Sequence, residues 1–360
     1  MTEIAIVLGT RPEIIKLSPV IRECERRNID YTLLHTGQHY SDSLDTVFFK
    51  QLELPVPDYN LEVGSNSQGK QTGEMISRIE EKLLEEKPNV LVVQGDTNSV
   101  LAGAIAASKL DTEIAHVEAG LRSFDREMPE ETNRVLTDHV GDYLFAPTEQ
   151  SADHLLSEGI PEDRVHVVGN TIVDAVQQNS NLARQKSDIL NKIDLKPGEY
   201  FLLTAHRASN VDNTSRFSSL LSGVSDAAKL FEQQVIYPIH PRARNTLDEA
   251  GIEVPENIRI IEPQDYLDFL TLQSETELIF TDSGGVQEEA CILGIPCVTL
   301  RDSTERPETV EVGGNVLSDI NSESITEKAD KMYGKEGDWE NPFGNGKASI
   351  KIIEHIPSES

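Results

Sequence analysis

Ile4-Ala5-Ile6-Val7-Leu8-Gly9-Thr10-Arg11-Pro12-Glu13 opens the chain with a five-residue apolar run, a glycine turn and a helix start. A run that is apolar throughout, without alternation, is the pattern of a strand buried on both faces of a parallel sheet. Pro12 suits the first turn of a helix, where its missing N–H costs no hydrogen bond. The unit recurs along the chain. Strands are predicted at Ile4–Leu8, Tyr31–His35, Val90–Val93, Ile114–Val117, Tyr143–Ala146 and Val165–Val168, with helices such as Pro12–Arg27, Gly73–Glu86, Ser99–Leu110 and Glu130–His139 between them. A second series has strands at Tyr200–Thr204, Val235–Pro238, Ile258–Ile261, Leu278–Thr281 and Cys297–Leu300. Helices fall near Thr214–Phe231, Tyr266–Leu272 and Gly285–Leu293. The reading is α/β: two Rossmann-like doubly wound domains, 1–170 and 171–360, with Leu195-Lys196-Pro197-Gly198-Glu199 as a linker or turn. The tail Ala348–Ile356 has a helical pattern and is expected to pack back on the first domain.

Composition narrows the setting. At 360 residues the chain is long for one core and suits two domains. Acidic residues number 62 against 32 basic, a formal net charge of -30. So negative a chain argues against nucleic acid or an anionic membrane as partner. It fits a salt-rich cytoplasm, where ionic strength screens self-repulsion. The three cysteines, Cys24, Cys291 and Cys297, have no zinc spacing and read as intracellular thiols. Met1-Thr2-Glu3 lacks a signal peptide's basic start, and no apolar run nears the roughly 20 residues of a membrane span. A cytoplasmic protein is expected.

The turn after the first strand lacks Gly-x-Gly-x-x-Gly, which argues against NAD. No phosphate-binding loop of the Gly-Lys-Thr type, Asp-x-Asp pair or His-Glu-x-x-His helix appears, so neither cofactor nor metal is expected and side chains must carry the chemistry. In a doubly wound sheet ligands meet the carboxyl ends of the strands. Arg11 follows the first strand and can grip phosphate through paired hydrogen bonds, with Lys16 adding charge on the same helix. A surface pair with Glu13 is the plainer alternative. Asp96, in Gln94-Gly95-Asp96-Thr97, and Glu118, in His116-Val117-Glu118-Ala119-Gly120, each follow a strand. Helix capping would explain Asp96 equally well, and a salt bridge to Arg122 would explain Glu118. Glu131, in Pro129-Glu130-Glu131, adds a third acid near a helix start. Like charges so placed should raise the pKa of at least one member.

In the second half His206, beside Arg207, follows a strand and can donate to a diphosphate or move a proton. It can also be a structural histidine, the reading we take for His240. Asp282-Ser283-Gly284-Gly285 offers small residues and unpaired N–H groups at a helix start, an anion-binding arrangement. Glu289, about one turn on, could accept from ribose hydroxyls, and Arg306 could neutralise diphosphate. Acids in one half and an anion grip in the other suggest an enzyme that holds a phosphorylated sugar between its two domains.

Taken together, Gly9–Glu13, Gln94–Thr97, His116–Ser123, Pro129–Arg134, His206–Asn210, Pro263–Phe269, Asp282–Glu289 and Thr304–Glu308 resemble, in order and spacing, the non-hydrolysing UDP-N-acetylglucosamine 2-epimerases of the archaeal branch. The resemblance spans nearly the whole chain. It implies the GT-B-like fold with a ligand in the interdomain cleft, a homodimer, and interconversion of UDP-GlcNAc and UDP-ManNAc without NAD or metal. It also implies the route: elimination of UDP to 2-acetamidoglucal, then re-addition. By carry-over, Arg11, Lys16, Asp96, Glu118 and His206 line sugar and diphosphate. Gln264 and Phe269 meet the uracil, and Ser283, Gly284, Gly285, Glu289 and Arg306 hold ribose and phosphates. Asp96, Glu118 and Glu131 become the proton-transfer groups, with His206 stabilising departing UDP. Other outcomes on the same framework are a hydrolysing epimerase releasing UDP and ManNAc, a GT-B glycosyltransferase, or an inactive nucleotide-sugar sensor. Two departures stand out. His206-Arg207-Ala208-Ser209-Asn210 replaces the family's His-Arg-x-Glu-Asn. Gly37-Gln38-His39-Tyr40 replaces the Gly-Gln-His-Arg of many bacterial members, which a second substrate molecule activates, so that regulation is not carried over.

Overall fold

The computed structural model describes residues 3–37 and 42–357; Met1, Thr2 and the Gln38-His39-Tyr40 part of the departure above lie outside the described residues. The chain forms two compact units, one running to Gln178 and resuming at Phe343, the other Asn179–Pro342. The first holds seven strands: β1 (Ile4–Leu8), β2 (Tyr31–His35), β3 (Tyr59–Asn60), β4 (Val90–Gln94), β5 (Glu113–Val117), β6 (Tyr143–Ala146) and β7 (Val165–Val167). Their order is β3-β2-β1-β4-β5-β6-β7, all parallel, with Ile4 in register with both Tyr31 and Val90. The second holds β8 (Tyr200–Thr204), β9 (Gln234–Pro238), β10 (Ile258–Ile261), β11 (Leu278–Thr281), β12 (Cys297–Thr299) and β13 (Asn315–Leu317). The order there is β10-β9-β8-β11-β12-β13, again parallel. Both sheets reverse winding at one point, between β1 and β4 and between β8 and β11. In such sheets the crevice beyond those strand ends is where ligands bind.

The apolar runs became strands because both faces are covered. Ile6, Val7, Val92 and Val93 are fully buried, as are Phe201, Leu202, Ile279 and Phe280. Each such side chain contributes roughly 1.5–3 kcal/mol on burial. The helix Asn98–Ala107 is apolar nearly all round and correspondingly buried. Gly103 lets it approach the sheet, since a methyl group there would lie 3.1 Å from Val93 Cγ1. β3 and β13 were not expected: two- and three-residue edge strands are too short to show a period. The apolar-poor stretch after Asn170 forms a full helix, Thr171–Lys186, because Ile172, Val173, Ala175, Val176 and Ala183 suffice for a buried face. The tail helix Ala348–His355 packs on the helix Arg11–Arg27. The carboxylate of Asp174 serves as its cap, accepting from Ala348 N (3.1 Å), Ser349 N (3.0 Å) and Ser349 Oγ (2.6 Å). Among the described residues no helix is long and apolar enough to cross a membrane.

Candidate active site

In the first unit, Arg11 and Asp96 sit on the turns after β1 and β4, at the winding reversal. Arg11 begins its helix on the exposed side, its guanidinium carbon 5.9 Å from the centre of the Phe48 ring. It does not pair with Glu13, which turns inward. Glu13 accepts from Gly9 N (2.8 Å) and Thr10 Oγ1 (2.9 Å), and from Thr97 Oγ1 (2.6 Å) in the turn that carries Asp96. One buried carboxylate therefore joins the two turns, and its burial raises its pKa above the usual 4.5 despite those donors. Thr97, not Asp96, caps the helix Asn98–Ala107, with Thr97 Oγ1 accepting from Val100 N. Asp96 is left to accept from Arg134 Nη2 at 2.5 Å, its side chain 31% exposed.

Glu118, after β5, has φ +69°, a left-handed conformation that costs a residue with a side chain about 1–3 kcal/mol. Its carboxylate is buried rather than open. It accepts from Lys16 Nζ (2.5 Å), Asn170 Nδ2 (2.9 Å) and Gln94 Nε2. Arg122 is not its partner; that guanidinium goes to Asp138 and Glu158. Lys16 accordingly spends its charge on Glu118 in the structure.

Glu131 lies in the first turn of the helix Pro129–Val140 and clamps the preceding loop. It accepts from Ser123 N (2.9 Å), Ser123 Oγ (3.0 Å), Phe124 N (3.0 Å) and Arg134 Nη1 (2.9 Å). Burial opposes its ionisation, but these donors outweigh burial and hold its pKa below the usual value. At Glu131 the donors, Arg134 among them, lower the pKa instead of neighbouring acids raising it. Arg134 stands between Asp96 and Glu131, Lys16 stands on Glu118, and Glu13, outside those three, is raised through burial.

In the second unit, His206 and Ser283 occupy the equivalent turns, after β8 and β11. Asp282, fully buried, organises both. It accepts from His206 Nδ1 (3.0 Å) and from the backbone N–H groups of His206 (3.1 Å) and Arg207 (3.0 Å). Burial would raise its pKa, yet the His206 ring and those backbone donors bring it below the usual value. With Nδ1 committed, Nε2 of His206 is the nitrogen left for chemistry, on a side chain 43% exposed. His240 caps the helix Pro241–Ala250 through Nδ1, as a structural histidine should, and its pKa is lowered by burial and by His206.

A cavity of about 410 Å³ opens here, and His206, His240, Gln264, Phe269, Ser283 and Val286 are among the residues lining it. The helix Gly284–Leu293 begins at its edge with no side-chain cap. A methyl group on Gly284 would meet no protein atom nearer than 3.9 Å, and one on Gly285 none nearer than 4.0 Å. Neither glycine has the positive φ that would require one. The helix start is thus open, with its N–H groups available to an anion. Behind it Glu289 is buried and accepts from Gln273 Nε2 (2.6 Å), while Arg306 Nε donates to Glu288 (2.5 Å). Gln264 donates to Glu262 O (2.6 Å) from the cavity wall. Among the described residues no group of three or more metal-ligating side chains comes together.

Four contributors escaped the sequence reading. Arg134 carried a signal, its i,i+3 spacing from Glu131 on a predicted helix. Asp282 lay inside a quoted motif with no role attached, and Glu13 was read only as a surface partner for Arg11. Asn170 gave none, because its contact with Glu118 is purely tertiary.

The family model for UDP-N-acetylglucosamine 2-epimerase matches residues 22–357. A UDP-N-acetylglucosamine 2-epimerase of Methanocaldococcus jannaschii is 54% identical over 358 residues, 98% of each chain. A UDP-2,3-diacetamido-2,3-dideoxy-D-glucuronate 2-epimerase of Pseudomonas aeruginosa is 40% identical over 357 residues, 98% of this chain and 99% of that one. The crystal structure of the Methanocaldococcus jannaschii UDP-GlcNAc 2-epimerase in complex with UDP-GlcNAc and UDP superposes with a TM-score of 0.85 at 54% identity, covering 98% of both chains. With two parallel doubly wound sheets of GT-B-like design and these matches across almost its full length, the chain belongs to the UDP-N-acetylglucosamine 2-epimerase family.

Proposed function

We propose that the enzyme interconverts UDP-GlcNAc and UDP-ManNAc by eliminating UDP and adding it back. The C2 hydrogen is of low acidity, so the C1–O bond to UDP breaks first or together with proton removal. A carboxylate takes the C2 proton, the C1–C2 bond becomes double, and 2-acetamidoglucal and UDP result. Return of UDP to C1, with a proton delivered to the other face of C2, completes epimerisation. No hydride changes hands. Asp96 and Glu118 carry the proton steps, and Glu131 supports them through Arg134. Arg11 and Lys16 serve the diphosphate and sugar. His206 Nε2 stabilises the leaving UDP, since charge developing on it needs a donor already in place. Gln264 and Phe269 receive the uracil, Ser283, Gly284 and Gly285 the phosphates, and Glu289 and Arg306 the ribose and remaining charge.

The observation that carries this reading is the arrangement after β4 and β5. Two acids stand at adjacent strand ends, Asp96 paired with Arg134 and Glu118 with Lys16, and Asp96 is partly open. That is what a reversible proton transfer requires of its donor and acceptor. Incubation with UDP-GlcNAc and chromatography of the products tests it. UDP-ManNAc supports the proposal, whereas UDP with free ManNAc would make the enzyme hydrolysing. The homodimer implied by the family resemblance is checked by light scattering.

A further inference from the structure

We propose that His116 and Asp138 form a buried positioning pair that sets the two turns bearing Asp96 and Glu118; this rests on the roles just given to those acids. His116 lies near the end of β5 and Asp138 on the helix Pro129–Val140, and neither is more than 1% exposed. His116 Nδ1 donates to Asp138 Oδ1 at 2.7 Å and Nε2 donates to Gly95 O at 2.9 Å. Both partners are acceptors, so both ring nitrogens act as donors. Asp138 Oδ2 accepts from Gly120 N (3.2 Å) and from Arg122 Nη1 (2.7 Å). Burial opposes ionisation of Asp138, but His116 and Arg122 outweigh it and hold its pKa below the usual value. Arg122 is anchored in turn by Glu158, at 2.7 Å.

The pair touches backbone at two telling places. Gly95 O belongs to the peptide that leads into Asp96, and Gly120 N lies two residues beyond Glu118. Gly95 and Gly120 have φ +85° and +79°, and Glu118 has +69°. The glycines adopt that conformation freely, but Glu118 does not, and the His116–Asp138 pair supplies hydrogen bonds to Gly95 and Gly120 in the two turns around the strained acid. Stability alone does not account for it, because a buried ion pair can be exchanged for apolar side chains at little cost. Placement does account for it, since a shift of about 1 Å in a reacting group can cost on the order of 10²-fold in rate.

The test compares the wild type with Asp138→Asn, which keeps the shape, and His116→Gln, which keeps one donor. Turnover should fall by about 10–100-fold in both. The KM for UDP-GlcNAc and the affinity for UDP should stay within about threefold, because the pair touches none of the residues assigned to the nucleotide. Amide resonances of Gly95, Asp96, Glu118 and Gly120 should move, and those of Asn179–Pro342 should not. Turnover per folded molecule within about twofold of wild type, or unmoved amides at those four residues, would overturn the pair's role. Loss of UDP affinity in parallel with turnover would do the same, as it would mark general structural damage. If His116→Gln does not fold, Asp138→Asn decides alone. A wild type that leaves UDP-GlcNAc untouched sinks the functional reading, and the amide shifts then still decide whether the pair places the turns.

Discussion

The two sheets share a winding order yet present opposite chemistry at their strand ends. After β1 and β4 come Arg11 and Asp96, and Glu118 follows β5. These acids are wired into ion pairs with Lys16 and Arg134. After β8 and β11 come His206 and Ser283, organised by one buried aspartate and facing an uncapped helix start. Topology therefore supplies two equivalent ligand-facing edges and says nothing of what each does. On the proposed function, the residues immediately following the strands make one an acid–base edge and the other an anion grip.

The sharpest way to break this division is Asp96→Asn. Turnover should fall by about 10³-fold, within the range of general acid–base catalysis, while UDP affinity measured by calorimetry stays within about tenfold, roughly 1.4 kcal/mol. Equal losses in both would mean that Asp96 itself helps to hold the nucleotide. Gly284→Val should do the reverse. Its Cβ would meet no protein atom nearer than 3.9 Å and its methyl groups would occupy the open helix start, so UDP affinity should drop about 100-fold, roughly 2.7 kcal/mol, with the unfolding temperature little changed.

Acid titration tests both units together. Glu131, Asp138 and Asp282 have folded pKa values below their ordinary ones, and Glu305, hydrogen-bonded by Arg301, sits at about 2. The stability they contribute is complete above their unfolded values and is lost as pH falls through the folded ones. Glu13 runs the other way: raised by burial, it contributes fully below about 4.5 and loses that contribution as pH rises through its folded value. The unfolding temperature should therefore drop steeply below about pH 4. A Glu13→Gln variant should keep that acid drop while losing the opposing slope above it. The smallest effect is expected from Tyr237→Phe. The buried hydroxyl donates to Ala205 O at 2.9 Å, next to His206, and its loss should cost about 1 kcal/mol by chemical denaturation with turnover nearly unchanged.

Much of this architecture was legible in the sequence, for a physical reason. Strands buried on both faces are mostly apolar, so Ile4–Leu8, Tyr31–His35 and Leu278–Thr281 announced themselves to the residue. The turns were legible too, because small and charged residues directly after such runs have no core to enter. What stayed hidden was the partnering. Nothing local says that Lys16 spends its charge on Glu118, that Arg134 separates Asp96 from Glu131, or that Asn170 reaches back across the sheet. At Glu131 the expected repulsion among the acids gave way to a lowered pKa for that reason: carboxylates can be counted along the chain, but the cations that folding brings to them cannot. Glu118 itself gave no warning of its left-handed backbone, since that conformation is imposed by neighbours rather than favoured by the residue.

The most direct test of the account is proton NMR of the protein with UDP-GlcNAc in deuterated, high-potassium buffer. The account predicts growth of UDP-ManNAc together with loss of the C2 proton signal from both nucleotide sugars, as each passage through the glucal returns deuterium to C2. UDP-ManNAc formed with its C2 proton retained would contradict it, because epimerisation would then have occurred without breaking the bond that the acids after β4 and β5 are proposed to cleave.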